Sequence, residues 1–178
     1  MMKFSLCYIT ALLLVVFQSC SGRKEPNLTE QEIRETENAL IGANRLLVKM
    51  DHDKIVSYIA SKDLDMMETS SGLWYAITPG AGRDKNVQTG MLVTIKYRVS
   101  LLNGNTCYNS DSLGVKQFIV GKGGVESGLE EGILLLKQGD KALFIMPPHL
   151  AHGLQGDGNK IPPRAILVYD VDLLKAEF

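Results

Sequence analysis

Cysteine is scarce in this chain. Of its three cysteines, Cys7 and Cys20 fall near the N-terminus and only Cys107 lies deep in the sequence. A lone cysteine cannot close an intramolecular disulfide. The three together do not have the spacing of a zinc site, and His52, His149 and His152 do not complete one. Charge of one sign is also lacking. Nineteen Lys and Arg stand against twenty Asp and Glu in 178 residues, a net charge of −1, which is no electrostatic footprint for nucleic acid. No internal repeat or low-complexity tract occurs. There is no G-x-S-x-G, no phosphate loop and no H-E-x-x-H. Gly121-Lys122-Gly123-Gly124 is Gly-rich but wrongly spaced to cradle phosphate. With 45% hydrophobic and 22% charged residues, the chain has material for one buried core plus extensions.

No apolar run is long enough for a confident membrane span. The longest, Phe4–Phe17, falls short of the roughly 20 residues a spanning helix needs. It follows the short basic start Met1–Lys3 and suits the apolar region of a signal peptide. It stops at Phe17-Gln18-Ser19-Cys20, a small residue before a cysteine. This resembles a bacterial lipoprotein signal. The resemblance implies removal of residues 1–19, acylation of Cys20, and a lipid anchor in the cell envelope with the domain facing the periplasm. Residues 20–28 read as a polar tether containing Pro26.

A helical extension is expected over residues 29–68. Thr29 and Glu32 have the capping-box spacing. Ile33, Leu40, Ile41, Leu47 and Val48 carry a helical stripe to Lys49. Asp51-His52-Asp53 reads as a break, with Asp51 or Asp53 capping a second helix whose face is Ile55, Tyr58 and Ile59. The stripe either packs on the C-terminal domain or pairs two copies as a dimerisation arm over 29–62. Heptads with flanking charges are lacking, so a long coiled coil is not expected. Leu64–Ser71 reads as a linker.

Beyond residue 69 the pattern turns to strands. Leu73–Thr78 reads as an edge strand, and Met91–Val99 alternates as a strand with one face buried. Asn103-Gly104 is a hairpin turn, and Cys107–Ser112 a polar loop. Further β-rich runs fall at 117–120, 141–146 and 165–174. Among them, Ser127–Leu136 reads as one short helix capped by Ser127, with Glu130 and Glu131 in its first turn. Leu129, Ile133 and Leu136 form its apolar face. Alone it is marginal, so it must bury against the sheet. The expected fold is α+β: an antiparallel sheet of about five or six strands wrapped around one short α-helix, preceded by the helical extension.

A collinear set of motifs sharpens this. Val93-Thr94-Ile95-Lys96-Tyr97 is followed by Gly104, Phe118, Gly121, Val125 and Gly128, then Glu130-Glu131-Gly132. Gly139-Asp140-Lys141-Ala142 comes next. Ala151-His152-Gly153, Ile161-Pro162-Pro163, Ala165 and Leu167–Leu174 complete it. In order and spacing, residues 69–176 resemble the FKBP-type peptidyl-prolyl cis/trans isomerases, and the leader and helical extension resemble membrane-anchored bacterial members. The resemblance implies an isomerase acting on X–Pro bonds of exported polypeptide clients, without cofactor or metal, through an aromatic cleft between helix and sheet. An apolar cleft would penalise the planar, polar amide more than the twisted one, which is differential binding of the transition state.

Carried over by position, the resemblance places Tyr97, Phe118, Val125, Glu126, Ile161 and Tyr169 at the cleft, Glu126 through its backbone with its side chain outward. The chain departs from the family pattern in four places. Cys107-Tyr108 replaces Phe-Asp as substrate-contacting residues, Leu129 replaces the floor Trp, His152 replaces a loop Tyr, and Lys116 replaces an aromatic. His152 would still donate an N–H, with a charge that varies near neutral pH. These departures leave a second reading beside the isomerase: a catalytically weak module that holds Pro-containing segments or docks on a membrane-associated assembly.

Overall fold

A computed structural model describes residues 29–80 and 86–178. The segments expected as a signal peptide (1–19) and a tether (20–28), Cys20 included, lie outside the described residues. Two compact units divide at Ile41 and Gly42.

Helix α1 spans Glu30–Ser61. It opens on the expected capping box: Thr29 N–H donates to Glu32 Oε2 at 2.8 Å, and Glu32 N–H to Thr29 Oγ1 at 3.3 Å. The break expected at 51–53 is absent, and the helix is continuous. Asp51 does not cap a second helix. Its buried carboxylate accepts from Arg164 Nη2 at 2.6 Å, while Asp53 pairs with Lys49 one turn back at 2.7 Å. These partners offset the weak helix propensity of aspartate, about 0.6 kcal/mol against Ala.

The sheet is antiparallel throughout. It comprises β1 (Met67–Glu68), β2 (Trp74–Thr78), β3 (Leu92–Leu101), β4 (Thr106–Asn109), β5 (Lys116–Ile119), β6 (Lys141–Met146) and β7 (Leu167–Glu177). The order is β1-β2-β6-β7-β3-β4, with β5 paired to the first half of β3. The expected architecture therefore stands, with seven strands when the two-residue β1 is counted. Two segments differ in detail. The linker over Leu64–Ser71 supplies β1, and the polar loop over Cys107–Ser112 is strand β4 followed by a single helical turn, α2 (Ser110–Leu113), capped by Asn109. The hairpin forms as read: Gly104 has φ +88°, and Asn103 Oδ1 accepts from Asn105 N–H.

Strands β6 and β7 are covered on both faces where the end of β6 pairs with the start of β7, and open to solvent on the outer face further along, at Lys141 and Asp170. Ala142, Phe144, Met146, Leu167, Tyr169, Val171 and Leu173 enter the main core. Ile145 and Val168 point the other way, to a second cluster with Ile166 and with Ile55, Tyr58 and Ile59 of α1. Burial on both faces explains the unbroken apolar run 165–169, and alternation with Asp170 and Asp172 returns where the outer face is open.

Helix α3 (Ser127–Ile133) rests on the inner face. It is shorter than expected, and Ser127 does not cap it; the N-cap is Glu126, which makes no side-chain cap bond. Gly128 and Gly132 set its depth. A Cβ at Gly132 would lie 2.7 Å from the Phe144 ring, and one at Gly128 would lie 3.0 Å from the Leu150 carbonyl. Leu129 and Ile133 are completely buried beside them. The Gly-rich loop is tied back to this helix, because Glu130 accepts from the backbone of Gly121 at 2.6 Å and of Gly123 at 3.1 Å.

Candidate active site

The strand pairing brings three tyrosines to one end of the sheet. Val99 of β3 faces Tyr108 on β4 and Tyr169 on β7. Tyr97, two residues before Val99, points to the same face. Its ring stacks with that of Tyr169 at 6.4 Å between centroids. Together with Leu113, Lys116, Glu126, His152 and Asp157 these residues line a cavity of about 240 Å³.

The N-cap of α3 closes one wall. Glu126 has an extended backbone, and its side chain turns inward rather than to solvent, against expectation; it is only 9% exposed. Three groups explain the turn. Tyr169 Oη donates to Glu126 Oε1 at 2.7 Å, His152 Nε2 lies 3.1 Å from the same oxygen, and Lys116 Nζ lies 3.9 Å from Oε2. Burial pushes the Glu126 carboxyl up. Lys116, the residue's own backbone N–H, the Tyr169 hydroxyl and His152 outweigh it, and the group is held below its ordinary value. Burial first, then the Glu126 carboxylate, pushes the Tyr169 hydroxyl well up, so it stays a neutral donor. The wall is thus an ionised carboxylate held by a phenol.

A loop from β6 to β7 closes the other side. After the 3-10 turn Pro148–Leu150 it carries His152 and Asp157. Tyr108 donates to Asp157 Oδ2, and Asp157 Oδ1 accepts from the N–H groups of Asn159 and Ile161, each at 2.8 Å. The Tyr108 hydroxyl, helped by these N–H groups, outweighs the desolvation that pushes the other way and holds Asp157 at about 2. The same bond pushes Tyr108 up. Cys107 points into the core with its thiol toward the Lys160 carbonyl, and burial pushes that thiol up.

Of the residues singled out in the sequence, Tyr97, Tyr108, Glu126, His152 and Tyr169 meet at this cavity. Phe118, Leu129, Ile161 and Cys107 are buried in the hydrophobic cluster to which the tyrosines also belong, and Val125 packs half-buried against it. None of these five lines the cavity wall. The cavity is also not simply apolar, because Lys116, Glu126, His152 and Asp157 contribute charge and hydrogen bonds. Lys116 was legible as an odd residue: it sits two before Phe118 on β5, so period two puts a lysine on the inward face. Asp157 left no local signal beyond a Gly-Asp-Gly turn, since its partner Tyr108 comes from a distant strand.

Known proteins resemble this chain throughout. The model of a family described as FKBP-type peptidyl-prolyl cis-trans isomerase matches residues 83–174. A probable FKBP-type peptidyl-prolyl cis-trans isomerase FkpA of Neisseria meningitidis is 32% identical over 169 residues; the match covers 89% of this chain and 61% of that protein. The chain therefore spans about three fifths of the length of that relative. The peptidyl-prolyl cis-trans isomerase Fkbp12 of Drosophila melanogaster is 37% identical over 102 residues, 57% of this chain and 94% of that protein. Among solved structures, FkpA from Escherichia coli superposes with a TM-score of 0.60 at 25% identity, covering 97% of this chain and 80% of that one.

Proposed function

The chain belongs to the FKBP-type peptidyl-prolyl cis-trans isomerase family, and from that premise we propose that its C-terminal domain speeds cis/trans rotation of X–Pro bonds in polypeptide clients. The observation that carries this reading is the cavity walled by Tyr97, Val99, Tyr108 and Tyr169 beside the N-cap of α3.

The uncatalysed barrier is about 18–20 kcal/mol, because twisting destroys amide resonance. Resonance also separates charge, so the planar amide is more polar than the twisted one. Tyrosine faces and Val99 solvate the planar amide worse than water does and disfavour the twisted one less. That difference lowers the barrier. A proline ring lying on the Tyr97 ring, against which Tyr169 stacks from within, would leave the preceding carbonyl near the loop that carries His152. An imidazole N–H there can donate to that oxygen as its orientation changes. A protease-free isomerisation assay on the full chain tests the reading: a rate above buffer that falls in Tyr97→Ala supports it, and a rate equal to buffer ends it.

The ionised Glu126 in the wall favours a second reading, a weak isomerase that chiefly holds Pro-containing segments or docks on a membrane-associated assembly. Peptide binding without acceleration in the same assay would select it.

The clients we propose are exported proteins, met in the periplasm by a domain tethered through lipid at Cys20. Incorporation of labelled palmitate, lost in Cys20→Ala, tests the tether. Pairing of two copies through residues 29–62 is a further part of this proposal, and the solution mass with and without residues 21–62 decides it.

A further inference from the structure

One oxygen of Glu126 is left unsatisfied in the cleft wall. Oε1 takes the Tyr169 hydroxyl and faces His152, whereas Oε2 is buried and has no hydrogen-bond partner among the described residues. The nearest cation, Lys116 Nζ, stops 3.9 Å away, beyond hydrogen-bond reach. Lys116 lies instead over the Tyr97 ring, 5.1 Å from its centroid, with its side chain 29% exposed. Outside the cavity lining, Lys160 Nζ lies 5.3 Å from the Tyr108 ring centroid. The Tyr97 face in this cleft therefore already holds an ammonium group, which is the expected electrostatics of a phenol ring. The same cavity carries two carboxylates, Glu126 and Asp157.

We propose that the cleft selects prolines flanked by lysine or arginine, and that the substrate's cation takes the place of Lys116 and donates the hydrogen bond that Glu126 Oε2 lacks. The inference rests on the isomerase reading of this cleft and names its preferred substrate class. Lys116 is a displaceable occupant. It makes no hydrogen bond to the carboxylate, and its long amphipathic side chain can return the ammonium to water once another cation takes over as counter-charge. At about 240 Å³ the cavity is smaller than the roughly 300–1,000 Å³ usual for a ligand site, so a moving Lys116 also makes room.

Charge decides which neighbour of proline is accepted. A neutral side chain would remove the counter-charge of a buried carboxylate without replacing it. An acidic one would be repelled by Glu126 and Asp157, most strongly by the buried Glu126. Only a basic side chain keeps the wall neutralised while adding a charge-assisted hydrogen bond. Arginine adds a planar fork that also stacks on tyrosine. Glu126 is thus a specificity-determining residue.

The test is kcat/KM of the full chain on a peptide panel in which Lys, Arg, Leu or Glu stands before or after the proline. Basic-flanked peptides are expected to exceed Leu peptides by about tenfold, the worth of one charge-assisted bond, with Glu peptides slowest. Glu126→Gln should bring the panel close to equality, and Lys116→Met should widen the preference. If Glu126→Gln does not fold, Lys116→Met decides alone, because its side chain lies at the rim. Measurable turnover with Leu peptides as fast as Lys peptides overturns the selectivity and leaves the isomerase reading standing. Buffer rates for every peptide overturn the isomerase reading. Calorimetric titration then decides the selectivity separately, supporting it if basic peptides bind tightest and overturning it if they do not.

Discussion

Tyr169 of β7 donates its hydroxyl to Glu126 at the N-cap of α3, 2.7 Å away, and both side chains are almost fully buried. This bond joins the central sheet to the helix it surrounds. Tyr169→Phe keeps the ring and deletes the donor, which leaves a buried carboxylate oxygen short of a partner. A loss of about 1–3 kcal/mol is expected, read as a lower urea midpoint with unchanged slope.

Acid should unfold the domain through the cleft carboxylates. Glu126 and Asp157 are both held below their ordinary values, Asp157 at about 2. Depressed carboxylates lend stability above their unfolded values near 4. That stability is lost as the pH falls through the folded values. The midpoint should therefore be flat near neutrality and drop between about pH 4 and pH 2. Glu126→Gln should shallow the drop, and denaturant melts across that range check it.

Alkali acts in the opposite sense. Tyr169 and Tyr108 are both pushed up in the folded state. Their contribution is full below the unfolded value near 10 and is lost as the pH rises through the folded one. Tyrosinate absorbance should show two tyrosines ionising late, together with unfolding. Tyr169→Phe should leave only one.

Two glycines in helices should respond oppositely to alanine. At Gly132 the new Cβ would meet the Phe144 ring at 2.7 Å, and overpacking of this kind costs about 1–3 kcal/mol. At Gly42 nothing lies within 4 Å, so Gly42→Ala should stabilise the helix by up to about 1 kcal/mol. Thermal melts of the two variants check the contrast.

Asp51 and Arg164 pin α1 to the loop before β7, and Arg164 holds a left-handed backbone, φ 57°. Arg164→Met should strand a buried carboxylate and cost about 1–3 kcal/mol. Faster amide exchange confined to the middle of α1 and the 153–165 loop is the expected signature.

Much of the architecture follows from local pattern. The alternation in Met91–Val99, Asn103-Gly104, and the Thr29–Glu32 box each act over a few residues, and each forms as read. The order of motifs over residues 69–176 likewise carried the family. What local pattern could not supply was which distant group meets which. Asp51 looks like a helix stop until Arg164 arrives from 113 positions away. Glu126 looks like a surface residue until Tyr169, His152 and Lys116 converge on it from three other segments. Spacing governs hydrogen bonds within a turn, a strand or a cap. The charge state and direction of a buried side chain depend on partners that only the packed sheet brings within reach.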